Sequence, residues 1–389
     1  MNYILFDDKQ AITALLPMTF TRPACDLRYG IMTLREKWEY YLGETTSTLT
    51  LTYLSKKYPI KKGDENILIK SNLIPDNEIV EAIKSLKENQ VLVSNEVILA
   101  YKVSGENFDN PENEIDENIV EYSGDVNFLE YTWQLFADLD TSIRHDFEML
   151  TKGRKSQPIP KTANVIGENI FLEEGAKIDF ATINTTTGPV YIGKDAEIME
   201  GSIVRGPFAL GEHAQLKMGA KIYGPTSFGP YCKVGGEVSN SIFLGFSNKA
   251  HDGFIGNSVI GEWCNLGAGT NCSNLKNTYD PVRLWNYQEE TFANTGLQFC
   301  GVIMGDHSKV GINSMINTGT VIGVSVNLFG TGFPRNMITS FSWGGANGFK
   351  VYNLNKAFQV AERVYARRGK EFDEVEKDIL RHIYHNVVR

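Results

Sequence analysis

The sequence predicts an α/β domain in the N-terminal half and an all-β, left-handed parallel β-helix with terminal α-helices in the C-terminal half. Three patterns lead to this fold class. Large apolar residues recur every six positions from residue 192 onward. Strand-like and helix-like segments alternate over residues 1–150, which is typical of an α/β domain with a largely parallel sheet. Apolar residues at helical spacing return after residue 335.

The six-residue recurrence predicts a triangular coil with one short strand and one inward apolar side chain on each side. An α-helix does not fit, because its apolar face recurs at three and four positions. One coil cannot bury its inward face, so stacked coils must form the core. The main series is Ile192, Ile198, Val204, Leu210, Leu216, Ile222, Phe228 and Val234. Further members are Ile166, Leu172, Ile178, then Ile242, Phe254, Ile260, Leu266, and finally Met304, Val310, Ile316, Ile322 and Leu328, with the small residues Ala196, Ala214, Cys232 and Cys264 at corners.

The predicted organisation has four parts. An α/β domain covers 1–150, a linker rich in Pro and basic residues covers 151–162, the β-helix covers 163–335, and a helical cap covers 336–389. The repeat lapses at about 275–299, which predicts a loop, and loops of this length are often functional.

In the first half, the segments YILFD, TLTLTYL, NILIKSNL and QVLVSNEVILAYKV are predicted as strands, IMTLREKWEYYL and NEIVEAIKSLKEN as helices, and 107–118 as a polar loop.

Composition excludes several classes of protein. The net charge is -9 and no Lys/Arg-rich run is present, which argues against nucleic-acid and anionic-membrane partners. The five cysteines form no CxxC pair, so we expect reduced core thiols. The opening MNYILFDDKQ lacks a signal-peptide pattern and no apolar run could span a bilayer. We therefore expect a cytoplasmic protein.

Residues 249–275, KAHDGFIGNSVIGEWCNLGAGTNCSNL, resemble the acetyltransferase signature of the bifunctional N-acetylglucosamine-1-phosphate uridylyltransferase / glucosamine-1-phosphate acetyltransferase family and related archaeal sugar-1-phosphate nucleotidylyltransferases. GVIMGDHSKVGINSMINTGTVIG resembles the following stretch of that family. LLPMTFTRPACDLRYGIMTLREKWE resembles a divergent sugar nucleotidyltransferase opening, fused to hexapeptide repeats.

The resemblance implies acetyl transfer from acetyl-CoA to a sugar amine, with His251 as the base. An imidazole suits this task at cytosolic pH. Asn265 would hold the sugar or its amine, and backbone N–H groups around Gly267, Ala268 and Gly269 would stabilise developing charge on the thioester oxygen or bind a CoA carbonyl. The implied sugar-binding residues are Lys249, Phe254, Asn274 and Lys276, and the implied acetyl-CoA-binding residues are Gly267, Ala268 and Gly311. For His251 and Asn265 the alternative is an ordinary corner residue.

This chain departs from the family where the sugar phosphate is held. The family's Arg, Lys and Tyr correspond here to Tyr223, Ser239 and Phe254, and the archaeal basic run to Leu297, Gln298 and Phe299. Lys249, Lys276, Arg283 and Arg205 are nearby substitutes. A zinc site built from His213, His251 and His307 is disfavoured, because their spacing does not match a three-His zinc enzyme.

The N-terminal half also departs from its family. The segment ILFDDKQAITALLP contains no glycine, so the usual backbone cradle for phosphates is absent. Arg22, Arg28 and Lys70 remain as nucleotide-binding candidates, with Asp7 or Asp8 as a candidate Mg²⁺ ligand, and Asn72 replaces the expected metal-binding Asp. Alternatively, Arg22 and Arg28 pair with Asp26 and Glu36.

The resemblance implies a homotrimeric enzyme of amino-sugar nucleotide synthesis. It would use a sugar 1-phosphate, acetyl-CoA and an NTP, either UTP or dTTP, with Mg²⁺ for nucleotidyl transfer. Two alternatives stay open: a sugar-1-phosphate nucleotidyltransferase whose β-helix is only structural, and a non-catalytic sugar-nucleotide-binding or assembly protein.

Overall fold

The computed structural model describes residues 1–105, 108 and 118–387. Most of the polar loop predicted over 107–118 therefore lies outside the described residues. The chain divides into two compact units, Met1–Leu27 with Met32–Tyr131, and Arg28–Ile31 with Thr132–Arg389. The second unit thus includes residues before 150 that the sequence pattern assigns to the α/β domain.

The first unit is built on a six-stranded mixed sheet with helices. Its strands are β1 (Asn2–Phe6), β2 (Thr46–Leu49), β3 (Glu65–Lys70), β4 (Val91–Ser94), β5 (Val97–Ser104) and β6 (Ile119–Glu121), in the order β2-β1-β3-β5-β4-β6. Its helices are α1 (Lys9–Ala14), α2 (Leu34–Leu42) and α3 (Asn77–Lys84), with a 3₁₀ turn at Ala24–Asp26. Because β1 runs parallel to β2 and β3, the carboxyl ends of these three strands lie at one edge of the sheet.

Local structures in this unit differ from the sequence prediction. TLTLTYL, predicted as a strand, lies mostly outside the strand, because β2 ends at Leu49. QVLVSNEVILAYKV, predicted as one strand, is the antiparallel hairpin β4–β5. It turns at Asn95 and Glu96, both with positive φ, a conformation that Asn tolerates better than most residues. The glycine-free stretch after β1 forms α1, and the Asp8 carboxylate caps it by accepting a hydrogen bond from Ala11 N at 2.7 Å.

The second unit contains the predicted parallel β-helix, whose strands form three faces. The first face is Asn164–Ile166, Thr182–Asn184, Ile203–Arg205, Lys221–Tyr223, Glu237–Ser239 and Phe254–Gly256. The second is Ile170–Leu172, Val190–Ile192, Phe208–Leu210, Thr226–Phe228, Ile242–Gly245, Val259–Glu262, Val302–Met304, Thr320–Ile322 and Met337–Ile338. The third is Lys177–Ile178, Glu197–Ile198, Gln215–Leu216, Lys233–Val234, Asn248–Lys249, Asn265–Leu266, Lys309–Val310, Asn327–Leu328, Ser342–Gly345 and Gly348–Val351.

The interior of the β-helix confirms the main six-residue series, since all eight members from Ile192 to Val234 belong to one buried cluster. The four small corner residues are buried in the same cluster. The prediction is wrong at Ile166, Ile242 and Phe254. Ile166 is 45% exposed, and the inward positions of the later coils are Phe243 and Ile255. After Val234 the inward residues Val238 and Phe243 follow at steps of four and five instead of six, and in the first coil Val165, not Ile166, packs against the core.

Two segments leave the regular coils. The short strands Asn271–Cys272 and Met315–Ile316 pair with each other. Between them in sequence, Arg283–Asn286 and Thr291–Asn294 form a protruding hairpin. The repeat pattern predicts an end near residue 335, whereas the structure adds a coil with Met337–Ile338 and Ser342–Gly345 before Gly348–Val351 closes it in an antiparallel pair.

The helices of the second unit are α4 (Gln134–Ala137), α5 (Leu139–Thr151), α6 (Leu354–Ala366) and α7 (Glu374–Val387). None of the described helices is long and apolar enough to cross a bilayer. The segment Arg28–Ile31 is tied to α5 because Ile31 N donates to the Asp146 carboxylate at 2.8 Å. All five cysteines are free and buried, as predicted.

Stacked aromatic rings attach α6 to the β-helix. Tyr231, Phe246 and Trp263 occupy successive corners between the second and third faces, with ring centroids 5.0 and 4.3 Å apart. Tyr365 of α6 stacks on Trp263 at 3.9 Å and is 4% exposed. Aromatic contacts of this kind add to the free energy of apolar burial, so the end of α6 is held over the third face.

Candidate active site

A cavity of about 630 Å³ lies between the third face and the end of α6; we call it the His251 cavity. Adjacent strands align Asn248, Asn265 and Lys309 across it. His251, at the corner that follows Asn248–Lys249, is exposed and lines the cavity. The same cavity is lined by Asn265, Gly267 and Ala268. Four residues selected from the sequence therefore come together.

Asn265 is exposed, and its side-chain amide makes no hydrogen bond within the described part of the chain. Its backbone is fixed, because Asn265 N donates to Ser308 O at 3.0 Å. A rigid backbone with an unused amide leaves both the donor and the acceptor of the side chain available to a ligand.

The backbone N–H groups at the next corner are not equivalent. Gly267 N donates to Val310 O and Gly269 N to Asp252 O, both at 2.9 Å. Ala268 N makes no hydrogen bond to the described protein. Of the three N–H groups predicted to stabilise an oxyanion, only that of Ala268 is therefore available.

Gly267 and Gly311 serve the stacking of coils. A Cβ on Gly267 would lie 2.7 Å from Gly311 C and 2.6 Å from Ile312 N, so a larger residue would force the coils apart. Gly311 N donates to Leu328 O at 2.8 Å. The structure thus gives Gly311 a place in the β-helix ladder and not in the lining of the His251 cavity.

Lys249 occupies an inward position of the β-helix, where the pattern calls for an apolar residue. It is 0% exposed, and Nζ donates to Gly235 O at 3.2 Å and to His251 O at 2.7 Å. Burial lowers the pKa of Lys249 to about 8. The side chain holds the backbone of the His251 corner and cannot reach a sugar in the cavity.

Replacing Lys249 with methionine should remove a pH-dependent contribution to stability. Between about pH 8 and pH 10 the unfolded chain keeps the Lys249 proton while the folded protein releases it. The unfolded state then binds more protons, so this site's contribution to the free energy of unfolding rises with pH. The free energy of unfolding is measured with urea for both proteins at pH 7.5 and pH 9.5. From the lower to the higher pH, the value for wild type should rise by about 1–2 kcal/mol relative to that of Lys249→Met. A difference that stays constant with pH would contradict the assignment.

The other sugar-binding candidates lie elsewhere in the second unit. Asn274 Nδ2 donates to Asn257 Oδ1 at 2.8 Å, and Phe254 N donates to Asn271 Oδ1 at 2.8 Å. Lys276 lines a different cavity. None of these three lines the His251 cavity of the described chain.

Basic residues that the sequence patterns did not select line the His251 cavity instead. They are Lys233 and Lys309 of the third face, and Arg367 and Arg368 just after α6. Arg368 donates to Asn248 Oδ1 at 3.0 Å, and Arg367 has no partner among the described residues. The Arg-Arg pair was visible in the sequence, but only the docking of α6 brings it to His251.

The electrostatics of this basic group favour an anionic ligand. The pKa of Lys233 is lowered first by burial and then by the positive charges of Arg368, Lys217 and Arg367. Burial also lowers the pKa of Arg368. No Asp or Glu side chain is among the described residues that line the cavity. Bound phosphate would relieve this repulsion and accept charge-assisted hydrogen bonds.

In the first unit, Asp7 and Asp8 follow β1 at the edge where β3 also ends. Burial raises the pKa of Asp7, although hydrogen bonds from Ser71, Thr50 and Ala24 N partly offset this. Asp8 forms an ion pair with Lys70 at 2.5 Å and also caps α1. The predicted metal ligand and the predicted nucleotide-binding lysine are therefore paired with each other.

Protein groups engage the carboxylates of both Asp7 and Asp8 in this structure. No group of three His, Cys, Asp or Glu side chains among the described residues could hold a metal ion. Asn72 is 4% exposed, and its amide donates to Leu129 O at 3.0 Å. These polar side chains therefore stabilise the fold of the first unit.

The two arginine candidates of the first half, Arg22 and Arg28, belong to different units. Arg22 is 3% exposed and lies in the first unit. Arg28 belongs to the second unit, where it donates to Leu244 O at 3.2 Å and to Ile31 O. Its guanidinium therefore ties a chain segment to the β-helix, and a nucleotide role is not supported. The expected partner Asp26 forms its ion pair with Arg35, at 2.6 Å.

Comparison with known proteins agrees with the two-part architecture. Residues 3–155 match the family model described as sugar nucleotidyl transferase. The chain is 35% identical over 144 residues to a bifunctional sugar-1-phosphate nucleotidylyltransferase/acetyltransferase of Sulfurisphaera tokodaii, covering 36% of this chain and 35% of that protein.

Two proteins named bifunctional protein GlmU are also similar. That of Methanococcus aeolicus is 33% identical over 111 residues, covering 28% of this chain and 22% of the relative. That of Methanocaldococcus jannaschii is 34% identical over 87 residues, covering 22% and 21%. The matches span about a third or less of these relatives' length. A solved Arabidopsis UDP-N-acetylglucosamine acyltransferase aligns with 54% of this chain and 82% of its own at 14% identity, with a TM-score of 0.23.

Proposed function

Because the chain joins a segment matching the sugar nucleotidyl transferase family to a parallel β-helix, we propose that it is a bifunctional transferase of nucleotide-sugar synthesis. The β-helix would transfer the acetyl group of acetyl-CoA to the amine of an amino-sugar 1-phosphate. The observation that carries this proposal is the convergence of His251, Asn265 and the Ala268 N–H group in one cavity lined by unneutralised cations.

The chemistry assigns one task to each group. The amine nitrogen attacks the thioester carbon, the C–S bond breaks, and CoA leaves as its thiolate, which takes up a proton. His251 accepts the proton that the amine must lose. The Ala268 N–H group donates to the thioester oxygen as negative charge develops there. The Asn265 amide holds the sugar in the orientation for attack.

The phosphate of the acceptor would bind to Lys233, Arg367 and Arg368. These three cations would replace the family's usual phosphate-binding residues, whose positions are occupied here by Tyr223, Ser239 and Phe254. The three cations line the same cavity as His251, and arginine binds phosphate through paired hydrogen bonds. Substrate specificity would then depend on the C-terminal helix as well as on the β-helix.

The N-terminal half would transfer a uridylyl or thymidylyl group from UTP or dTTP to the sugar 1-phosphate. The family match over residues 3–155 supports this part. Because Asp7, Asp8 and Lys70 are engaged with protein partners, nucleotide and Mg²⁺ would have to arrive together and displace the Asp8–Lys70 pair. We further propose a cytoplasmic homotrimer, which light scattering of the purified protein would test.

A coupled assay tests the proposal. Full-length protein is supplied with glucosamine 1-phosphate, acetyl-CoA, UTP and Mg²⁺, and release of CoA and of pyrophosphate is followed separately. We expect CoA release without UTP and pyrophosphate release that depends on UTP. Pyrophosphate release with no CoA release from any amino-sugar phosphate would favour a structural β-helix. Absence of both products would favour a binding protein.

A further inference from the structure

A second cavity of about 790 Å³ lies between the protruding hairpin and the β-helix; we call it the hairpin cavity. The hairpin contributes Arg283, Trp285 and Phe292, and the final coils contribute residues from Asn317 to Thr339. It shares no lining residue with the His251 cavity. Whatever occupies it need not be the acceptor of acetyl transfer.

Val282 and Leu284 are the buried aliphatic residues of the hairpin segment, 0% and 1% exposed. A Cβ on Gly319 would lie 2.6 Å from Arg283 O, so the backbones of the hairpin and the β-helix touch there. On the other side of the strand pair, Trp285 and Phe292 are half-buried. Their rings meet edge to face, with centroids 5.3 Å apart. This aromatic pair is therefore free to contact a planar ligand.

Positive charge surrounds the aromatic pair. Lys276, Arg283 and Arg335 line the hairpin cavity, and no Asp or Glu is among its described lining residues. Arg283 and Arg335 are exposed and have no partner in the described part of the chain. Among the described residues, Lys276 Nζ donates to Pro281 O alone, at 2.7 Å. Three cations without a carboxylate among the lining residues favour an anion that carries more than one charge.

We propose that the hairpin cavity is a binding site for a nucleotide carrying at least two phosphate charges. The base would stack on Trp285 and Phe292, since a base–aromatic contact is tolerant of base identity. The phosphates would pair with Arg283, Arg335 and Lys276. Asn317 also lines the cavity, and its side-chain NH₂ group would offer a donor to the ribose. The proposal does not rest on the assignment of His251 as the base of acetyl transfer.

Two ligands of the proposed reactions share this chemistry: the nucleoside triphosphate or nucleotide sugar of the N-terminal half, and the adenosine diphosphate end of CoA. The test titrates full-length protein with UDP, UTP and CoA while tryptophan fluorescence is recorded. Trp285→Phe is titrated in parallel, and the difference isolates the signal of Trp285 from those of the other tryptophans. Uridine and pyrophosphate serve as probes of base alone and charge alone.

We expect saturable quenching by UDP, UTP or CoA that disappears in Trp285→Phe. Arg283→Ala and Arg335→Ala should each weaken it about tenfold, whereas Arg144→Ala, which removes an arginine outside the cavity, should not. A response to UDP alone would identify the nucleotide of the N-terminal half, and a response to CoA alone would identify the acetyl donor. Lys276→Gln gives a second test if an arginine variant does not fold.

The proposal is overturned if no nucleotide quenches Trp285, if pyrophosphate reproduces the full response, or if the arginine variants bind as wild type does. His251→Ala should leave the quenching unchanged. The two proposals therefore fail separately. If His251 is not the base, the nucleotide titration is unaffected, and if no nucleotide binds the hairpin cavity, the role of His251 is unaffected.

Discussion

Replacing His251 with alanine is expected to slow CoA release about 100- to 10,000-fold at saturating substrates, the usual contribution of a general base. The imidazole is exposed in the His251 cavity, so its removal leaves no buried void. Pyrophosphate release from UTP should continue at the wild-type rate, because the substitution lies in the β-helix. Stopped assays of both products, at pH 7.5, measure the two effects on one protein preparation.

His213→Asn is the matched control for this variant. His213 also occupies a corner of the β-helix, with φ of 55°, and asparagine tolerates that conformation. Its ring lies near Asp195 and Glu212 and does not line the His251 cavity. If His251→Ala and His213→Asn release CoA at the same rate, His251 is not the base of acetyl transfer.

Periodicity alone sufficed to predict the β-helix, because its core depends on a local rule that every coil obeys. The eight residues from Ile192 to Val234 all point inward. The rule fails after Val234, where two corners are shorter and the inward positions become Phe243, Lys249 and Ile255. A buried lysine at such a position cannot be anticipated from an apolar pattern, since its acceptors, Gly235 O and His251 O, exist only once the coils stack.

The candidate site also could be predicted only in part from the sequence. His251, Asn265 and Ala268 were accessible to sequence reasoning because they lie within one short motif on adjacent coils. Arg367 and Arg368 were not, since about 100 residues separate them from that motif. Their position depends on Tyr365 stacking against Trp263. Which backbone N–H groups are available to a ligand also could not be predicted from the sequence, because the carbonyl acceptors of Gly267 N and Gly269 N lie on neighbouring coils.

Replacing Arg367 and Arg368 together with alanine should raise the KM for the amino-sugar phosphate about 100-fold or more and leave kcat within a few fold. Each arginine would lose a charge-assisted hydrogen bond worth about 1.5–3 kcal/mol. The phosphate is remote from the reacting amine, so ground state and transition state lose the same binding free energy. Initial rates of CoA release against acceptor concentration separate the two constants, and raising the salt concentration should weaken wild-type binding more than that of the variant.

Arg363→Ala is the matched control, because Arg363 lies on α6 but outside the lining of the cavity, and it should behave as wild type does. The Lys-for-Arg double variant should recover part of the affinity, since charge is kept while the paired hydrogen bonds are lost. Glucosamine, which lacks the phosphate, tests whether the arginines bind that group. The alanine substitutions should not change the rate of CoA release with glucosamine as acceptor. If instead the KM for acetyl-CoA rises while that for the acceptor is unchanged, the two arginines hold the phosphates of the donor. The sugar phosphate must then be held by other groups, and Lys233, Arg367 and Arg368 lose their proposed role in acceptor binding.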